Sequence, residues 1–328
     1  MEEGHGRDRH KEDRFVKIIV SGALGHIGSH LVRKLPGQFP GAEIVMIDNL
    51  MTQRFPSLFN LPDVGCYHFI DGDVAEIDLR PVFGDAHVVV HLAAITDAAS
   101  SFDNAMKVEA NNLRATRNVA QACCETGAKL LQVSSTSVYG TQHQLISEDC
   151  PIEELKPQSP YAKTKLKEEE LMRNLVSEKG LRAICCRLGT IFGVSPGIRF
   201  HTAVNKFCWQ AALGQPITVW RTAYDQKRPY LDLIDAGRAM SFIIEKDVFD
   251  GQIYNIVTVN STVRAIVDII ECTIPRLELR FVDSPIMNQL SFEVSPQRFI
   301  DRGFSFSGNL QRGIEETIAL LRRANSIN

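Results

Sequence analysis

Along most of this chain, short apolar runs alternate with longer stretches in which apolar residues recur at helical spacing. Phe15–Ser21, Glu43–Ile47, Tyr67–Ile70, Val88–Leu92, Lys129–Ser134 and Ala183–Arg187 are short, rich in β-branched residues and flanked by turn formers, and read as strands. Between them, Ile27–Leu35, Asn112–Thr126 and Pro160–Lys179 read as helices, the last two stopped by Gly127 and Gly180. Strands that are apolar throughout, rather than at every second residue, belong in a parallel sheet covered on both faces. The expected fold class is therefore α/β, with a doubly wound parallel sheet.

Beyond Arg187 the pattern loosens. Turn residues at Gly193–Gly197, Gly214–Pro216 and Ser284–Pro285 separate short elements, as in a smaller lobe set over a sheet, and Leu310, Ile314, Ile318 and Leu321 have the spacing of a closing helix. The expected division is a main domain over 15–185 with 228–257 returning to it, and a lobe made of 186–227 and 258–328. Residues 1–14, mostly charged, glycine or histidine, are expected to be a disordered tail.

Composition narrows the classes of partner. The 328 residues are 44% hydrophobic and 23% charged with a formal charge of −3, which leaves no broad basic footprint for nucleic acid. No run of about 18 apolar residues and no secretion leader is evident, so a cytosolic protein that neither spans a membrane nor binds one is expected. The eight cysteines include two adjacent pairs and no CxxC, and the nine histidines show no HExxH spacing. Reduced thiols and no metal site are expected.

Candidate chemistry starts at Tyr161 and Lys165. Positions i and i+4 share one helical face, so phenol and ammonium can occupy one site. A nearby positive charge stabilises a phenolate, and Ser159 as N-cap with Pro160 at the first helical position places Tyr161 at the positive end of the helix. The spacing thus predicts a lowered tyrosine pKa and a general base. A half-buried tyrosine beside a solvated lysine is the ordinary alternative.

Gly22-Ala23-Leu24-Gly25-His26-Ile27-Gly28 lies between the first strand and first helix, where a Rossmann sheet places its phosphate loop, although glycines that merely turn a loop would look the same. Asp48 ends the second strand 20 residues after Gly28, where an acid can accept bonds from ribose hydroxyls and repel a 2′-phosphate. That favours NAD over NADP, with a simple turn former as the alternative.

Together with Asp71-Gly72-Asp73-Val74, His91-Leu92-Ala93-Ala94, Asn112 with Thr116, Ser134-Ser135-Thr136-Ser137-Val138-Tyr139-Gly140, Arg187-Leu188-Gly189-Thr190-Ile191-Phe192-Gly193 and Arg228-Pro229-Tyr230, these motifs follow one another in a known order. From Phe15 onward the chain resembles the extended short-chain dehydrogenases/reductases of the NAD-dependent nucleotide-sugar epimerase/dehydratase family. The resemblance implies NAD contacts from Gly22, Gly25, His26, Ile27, Gly28, Asp48, Asn49, Asp73, Val74, Leu92, Ala93, Ala94, Asn112, Tyr161 and Lys165. It implies catalysis by Ser135, Tyr161 and Lys165, a nucleotide-sugar substrate met by Thr136, Ser137, Thr190 and Arg228, and a homodimer.

A serine ending a strand also commonly bonds its own backbone, and an arginine beside Asp225 could be simply exposed. Related dehydratases generally carry acids after the position of Ser135. The uncharged Thr136 and Ser137 resemble the 4-epimerases instead. Epimerisation at C4 is the expectation, with a dehydratase or ketoreductase of the same family as the nearest alternative and a non-catalytic NAD-binding regulator as another. Around Arg228 the chain departs from the family, with Trp220-Arg221-Thr222-Ala223-Tyr224 in place of the usual glycines, so the identity of the sugar does not transfer.

Overall fold

The computed structural model describes residues 16–96, 100–140, 145–283 and 291–323. The expected tail at 1–14 and the turn at Ser284–Pro285 lie outside these.

Seven parallel strands form the main sheet: β1 (Lys17–Ser21), β2 (Glu43–Asp48), β3 (Cys66–Asp71), β4 (Val88–His91), β5 (Lys129–Ser135), β6 (Ala183–Leu188) and β7 (Ile253–Ile256). Their spatial order is β3-β2-β1-β4-β5-β6-β7, so the direction of winding reverses between β1 and β4. In open sheets of this Rossmann type, ligands sit at that reversal, beyond the carboxyl ends of the strands.

Why the strands are apolar throughout is visible residue by residue in β1. Ile18 and Val20 join a core that includes Leu31, Val32 and Leu35 of α1 (His26–Gln38). Ile19 faces the other way, into a core with Val119 of α2 (Ala105–Thr126) and Met172 of α3 (Pro160–Lys179). Each fully buried aliphatic side chain contributes about 1.5–3 kcal/mol, so both faces hold the sheet. Helix α2 begins at Ala105, seven residues before the expected Asn112, and the Asn104 side chain makes no cap bond that would mark its start.

A three-stranded sheet joins Thr190–Phe192, Lys227–Asp232 and Val259–Thr262 beside the carboxyl end of β6. Helices α4 (Ala203–Ala212), α6 (Val263–Thr273) and α7 (Leu310–Arg323) share a core with it through Phe207, Ile266 and Ile314. Between them in the chain, α5 (Leu233–Glu245) packs on α1 instead. Segment 228–257 is thus split: its first strand pairs outside the main sheet, while α5 and β7 lie against it and within it. No helix among the described residues is long and apolar enough to cross a membrane.

Candidate active site

Where β1 ends, Gly22 takes φ +68°, and a Cβ there would lie 2.6 Å from the Ala93 nitrogen. At Gly28 a Cβ would come within 2.3 Å of the Gly22 carbonyl oxygen, so both positions exclude larger residues. Gly25 sits at the N-cap of α1 and supplies no side-chain cap, which leaves the first N–H groups of the helix turned to the loop mouth. His26 is buried, with Nε2 2.8 Å from the Gly193 carbonyl and Nδ1 unpartnered, and burial pushes its pKa down to about 3. It ties the glycine loop to the lobe as a neutral ring. Ile27 is half-buried behind it.

Asp48 accepts backbone N–H bonds from Leu24 at 3.0 Å and Leu50 at 3.0 Å, one on each oxygen. Burial raises its carboxyl above the usual range. It therefore shapes the loop, and since a carboxylate has about four acceptor sites it keeps capacity for ribose hydroxyls. Asn49 donates to Asp73 at 2.9 Å, joining the ends of β2 and β3, and Val74 is buried below them. After β4, Leu92, Ala93 and Ala94 pass half-buried beside Gly22. Asn112 does not join this line directly: its amide clamps the Ile95 peptide at 2.9 and 3.0 Å, fixing the loop. Uncapped helix, glycine cradle and carboxylate together fit the pyrophosphate and ribose of a dinucleotide.

At the carboxyl end of β5, Ser135 caps the short turn Thr136–Tyr139 by accepting from the Ser137 amide at 3.2 Å, and also accepts from the Ser137 hydroxyl at 2.9 Å. Both bonds arrive as donors, so neither uses the Ser135 proton. Thr136 turns away: it is 4% exposed and donates to the Leu188 carbonyl at 3.2 Å. Helix α3 has the expected bounds, with the Ser159 hydroxyl accepting from the Ala162 amide and Gly180 left-handed at the end. It sets Lys165 Nζ 5.8 Å from the Tyr161 ring centroid.

The lysine does not act as a free charge. Lys165 donates to the Glu168 carboxylate at 2.8 Å and to the Val133 carbonyl at 3.1 Å, buried with both. Burial would lower the ammonium pKa, but Glu168 and Tyr161, with Cys185, together outweigh it and hold it above its ordinary value. The spacing predicts a lowered phenol pKa; the structure gives the opposite direction. Burial of Tyr161 raises it, and Glu168 offsets part of what Lys165 and Arg199 do to lower it.

Several residues were not singled out from the sequence. Arg187 reaches Glu169 with two bonds, at 2.9 and 2.7 Å, while Ser134 donates to the same acid at 2.5 Å. Arg199 bonds Thr96, linking the lobe to the loop after β4 within electrostatic reach of Tyr161 and His26. Glu168 and Glu169 stand three and four residues after Lys165, on its own helical face, which was the available signal. Thr190 starts the first strand of the three-stranded sheet and Arg228 lies in its central strand. Arg228 stacks over Phe292 at 5.1 Å, and burial lowers its pKa to about 10. Among the described residues, no group of three or more His, Cys, Asp or Glu is placed to hold a metal ion.

This geometry has known counterparts. MoeE5, solved in complex with UDP-glucuronic acid and NAD, superposes with a TM-score of 0.82 at 26% identity, covering 94% of this chain and 99% of that one. UDP-glucuronic acid 4-epimerase from Bacillus cereus, solved with UDP-glucuronic acid and NAD, gives 0.84 at 25% identity, covering 94% and 100%. A trifunctional UDP-glucose 4,6-dehydratase/UDP-4-keto-6-deoxy-D-glucose 3,5-epimerase/UDP-4-keto-L-rhamnose-reductase from Arabidopsis thaliana is 26% identical over 92% of this chain. The chain spans about half the length of such curated relatives, 46% in that case. The sequence model of the NAD dependent epimerase/dehydratase family matches residues 18–257, from β1 through β7, and the chain belongs to that family.

Proposed function

We propose that the protein is an NAD-dependent nucleotide-sugar epimerase acting at C4. The observation that carries the reading is Tyr161 beside Lys165 on α3, which packs against the turn capped by Ser135, a turn that continues with Thr136 and Ser137, hydroxyls and not acids. A dehydratase must also move a proton at a second carbon, for which a carboxyl group is suited; an epimerase needs one base at one carbon. The UDP-glucuronic acid 4-epimerase among the structural counterparts favours the same reading.

When bound, NAD would supply the hydride acceptor and donor, held by the Gly22–Gly28 loop, Asp48 and the Leu92–Ala94 segment. Tyr161 takes the proton of the sugar hydroxyl as the carbon is oxidised and returns it on reduction. Ser135 donates a hydrogen bond to the reacting oxygen and fixes it near the phenol. Lys165 favours the phenolate. Arg228 and Thr190 lie on the lobe and would meet the nucleotide and the sugar, the arginine as a forked cation for phosphate.

The test is incubation of the full chain and NAD with UDP-, GDP-, dTDP- and CDP-sugars, uronic acids included, with products read by NMR. An epimer without net NADH supports the reading. A 4-keto-6-deoxy product assigns a dehydratase, and tight NAD binding with every sugar unchanged favours a regulatory protein.

A further inference from the structure

The role of Glu168 follows from its placement. Its carboxylate is 1% exposed and stands 2.8 Å from the Lys165 ammonium. The same oxygen accepts from Gln132 at 3.0 Å, and the Thr116 hydroxyl also favours the carboxylate. An acid in the middle of a helix normally faces water. This one is turned inward against the charge on which the proposed base depends. A lysine needed only as a structural cation would be satisfied by the pair; a lysine needed to stabilise a phenolate is partly neutralised by it.

We propose that Glu168 is a positioning residue for Tyr161, acting through Lys165: the buried, charge-neutral pair sets how much of the ammonium charge reaches the phenol. This rests on Tyr161 being the base of the proposed reaction. The groups facing the pair can be named element by element. On α3 they are Tyr161 and Glu169, on β6 Cys185, on β5 Gln132, on α2 Thr116 and on β4 His91. Arg199 approaches Tyr161 from the lobe. Cys185 is buried and its thiol is pushed up, and His91, fully buried, is pushed down to about 3, so neither carries charge near neutral pH. Glu169 is engaged by Arg187. Lys165, Glu168 and Arg199 are therefore the charges that act on the phenol, and of these Glu168 alone opposes its ionisation.

The expected effect is a shift in the ionisation of Tyr161. In the full chain as isolated, phenolate absorbance near 295 nm, taken as the difference from Tyr161→Phe, should show Tyr161 un-ionised at pH 9. Glu168→Gln, which keeps the shape and removes the charge, should move the transition down by about one unit or more. Glu168→Ala should move it the same way. The acidic limb of the kcat/KM profile for the accepted sugar should follow. An unchanged transition in a folded Glu168 variant would overturn the proposal. If neither variant folds, a Tyr161 transition below the ordinary tyrosine value of about 10 in the unaltered protein would overturn it, and one above that value would support it. The titration needs no substrate. Failure of every nucleotide sugar to react would count against the epimerase alone and leave the coupling decided.

Discussion

Arg187→Met isolates the ion pair that holds α3 against the sheet. The guanidinium makes bonds of 2.9 and 2.7 Å to Glu169, with side-chain exposures of 4% and 1%. Burial alone would lower the arginine pKa, but Glu169, with a smaller contribution from Tyr139, raises it instead, so the guanidinium stays charged in the folded state. Methionine fills much of the same volume and leaves Glu169 with the Ser134 hydroxyl at 2.5 Å. Charge-assisted bonds contribute roughly 1.5–3 kcal/mol each, and breaking one partner of a buried pair costs about 3–5 kcal/mol. Urea unfolding at pH 7 should therefore show a loss of about 3–5 kcal/mol through a lower midpoint at unchanged slope. The pair Arg187→Met/Glu169→Leu should recover more than half of it, because no buried charge is then left alone. A single-variant loss under about 1 kcal/mol, or a double variant as unstable as the sum, would refute the reasoning.

Tyr161→Phe should lower turnover by about 10²–10⁴-fold while NAD stays bound, read by steady-state rates and cofactor retention. Gly22→Ala places a methyl group against the Ala93 nitrogen at a positive φ, and should abolish NAD binding measured by calorimetry. Buried neutral His26 and His91 have folded pKa values of about 3, below the ordinary value of 6.5. Each contributes stability that is fully present above 6.5 and is lost as pH falls toward 3, at up to about 1.4 kcal/mol per unit. Urea midpoints should fall between pH 7 and 5, and His91→Gln should flatten that slope; an identical slope would contradict it.

Local signals made much of the sheet and of α3 legible in the sequence. Ser159, Pro160 and Gly180 are capping chemistry readable within a few residues, and they fix the bounds of α3. Continuous apolar runs located six of the seven strands of the main sheet. In the lobe the closing helix was legible from the spacing of Leu310, Ile314, Ile318 and Leu321, but the strands were not, because Thr190–Phe192, Lys227–Asp232 and Val259–Thr262 are short and pair across distant parts of the chain. At the site, residue types were readable and orientations were not. Thr136 and Ser137 are adjacent hydroxyls, yet one bonds Leu188 and the other Ser135. The Tyr161–Lys165 spacing gave the right face of the helix but the wrong direction for the phenol pKa, since burial and Glu168 are tertiary facts.

The most direct test of the central claim follows the hydrogen at C4. The full chain, NAD and the accepted nucleotide sugar carrying deuterium at C4 should give, by NMR, the C4 epimer with the label retained at C4 and no net NADH. Deuterium found on another carbon, or loss of water from the product, would contradict it.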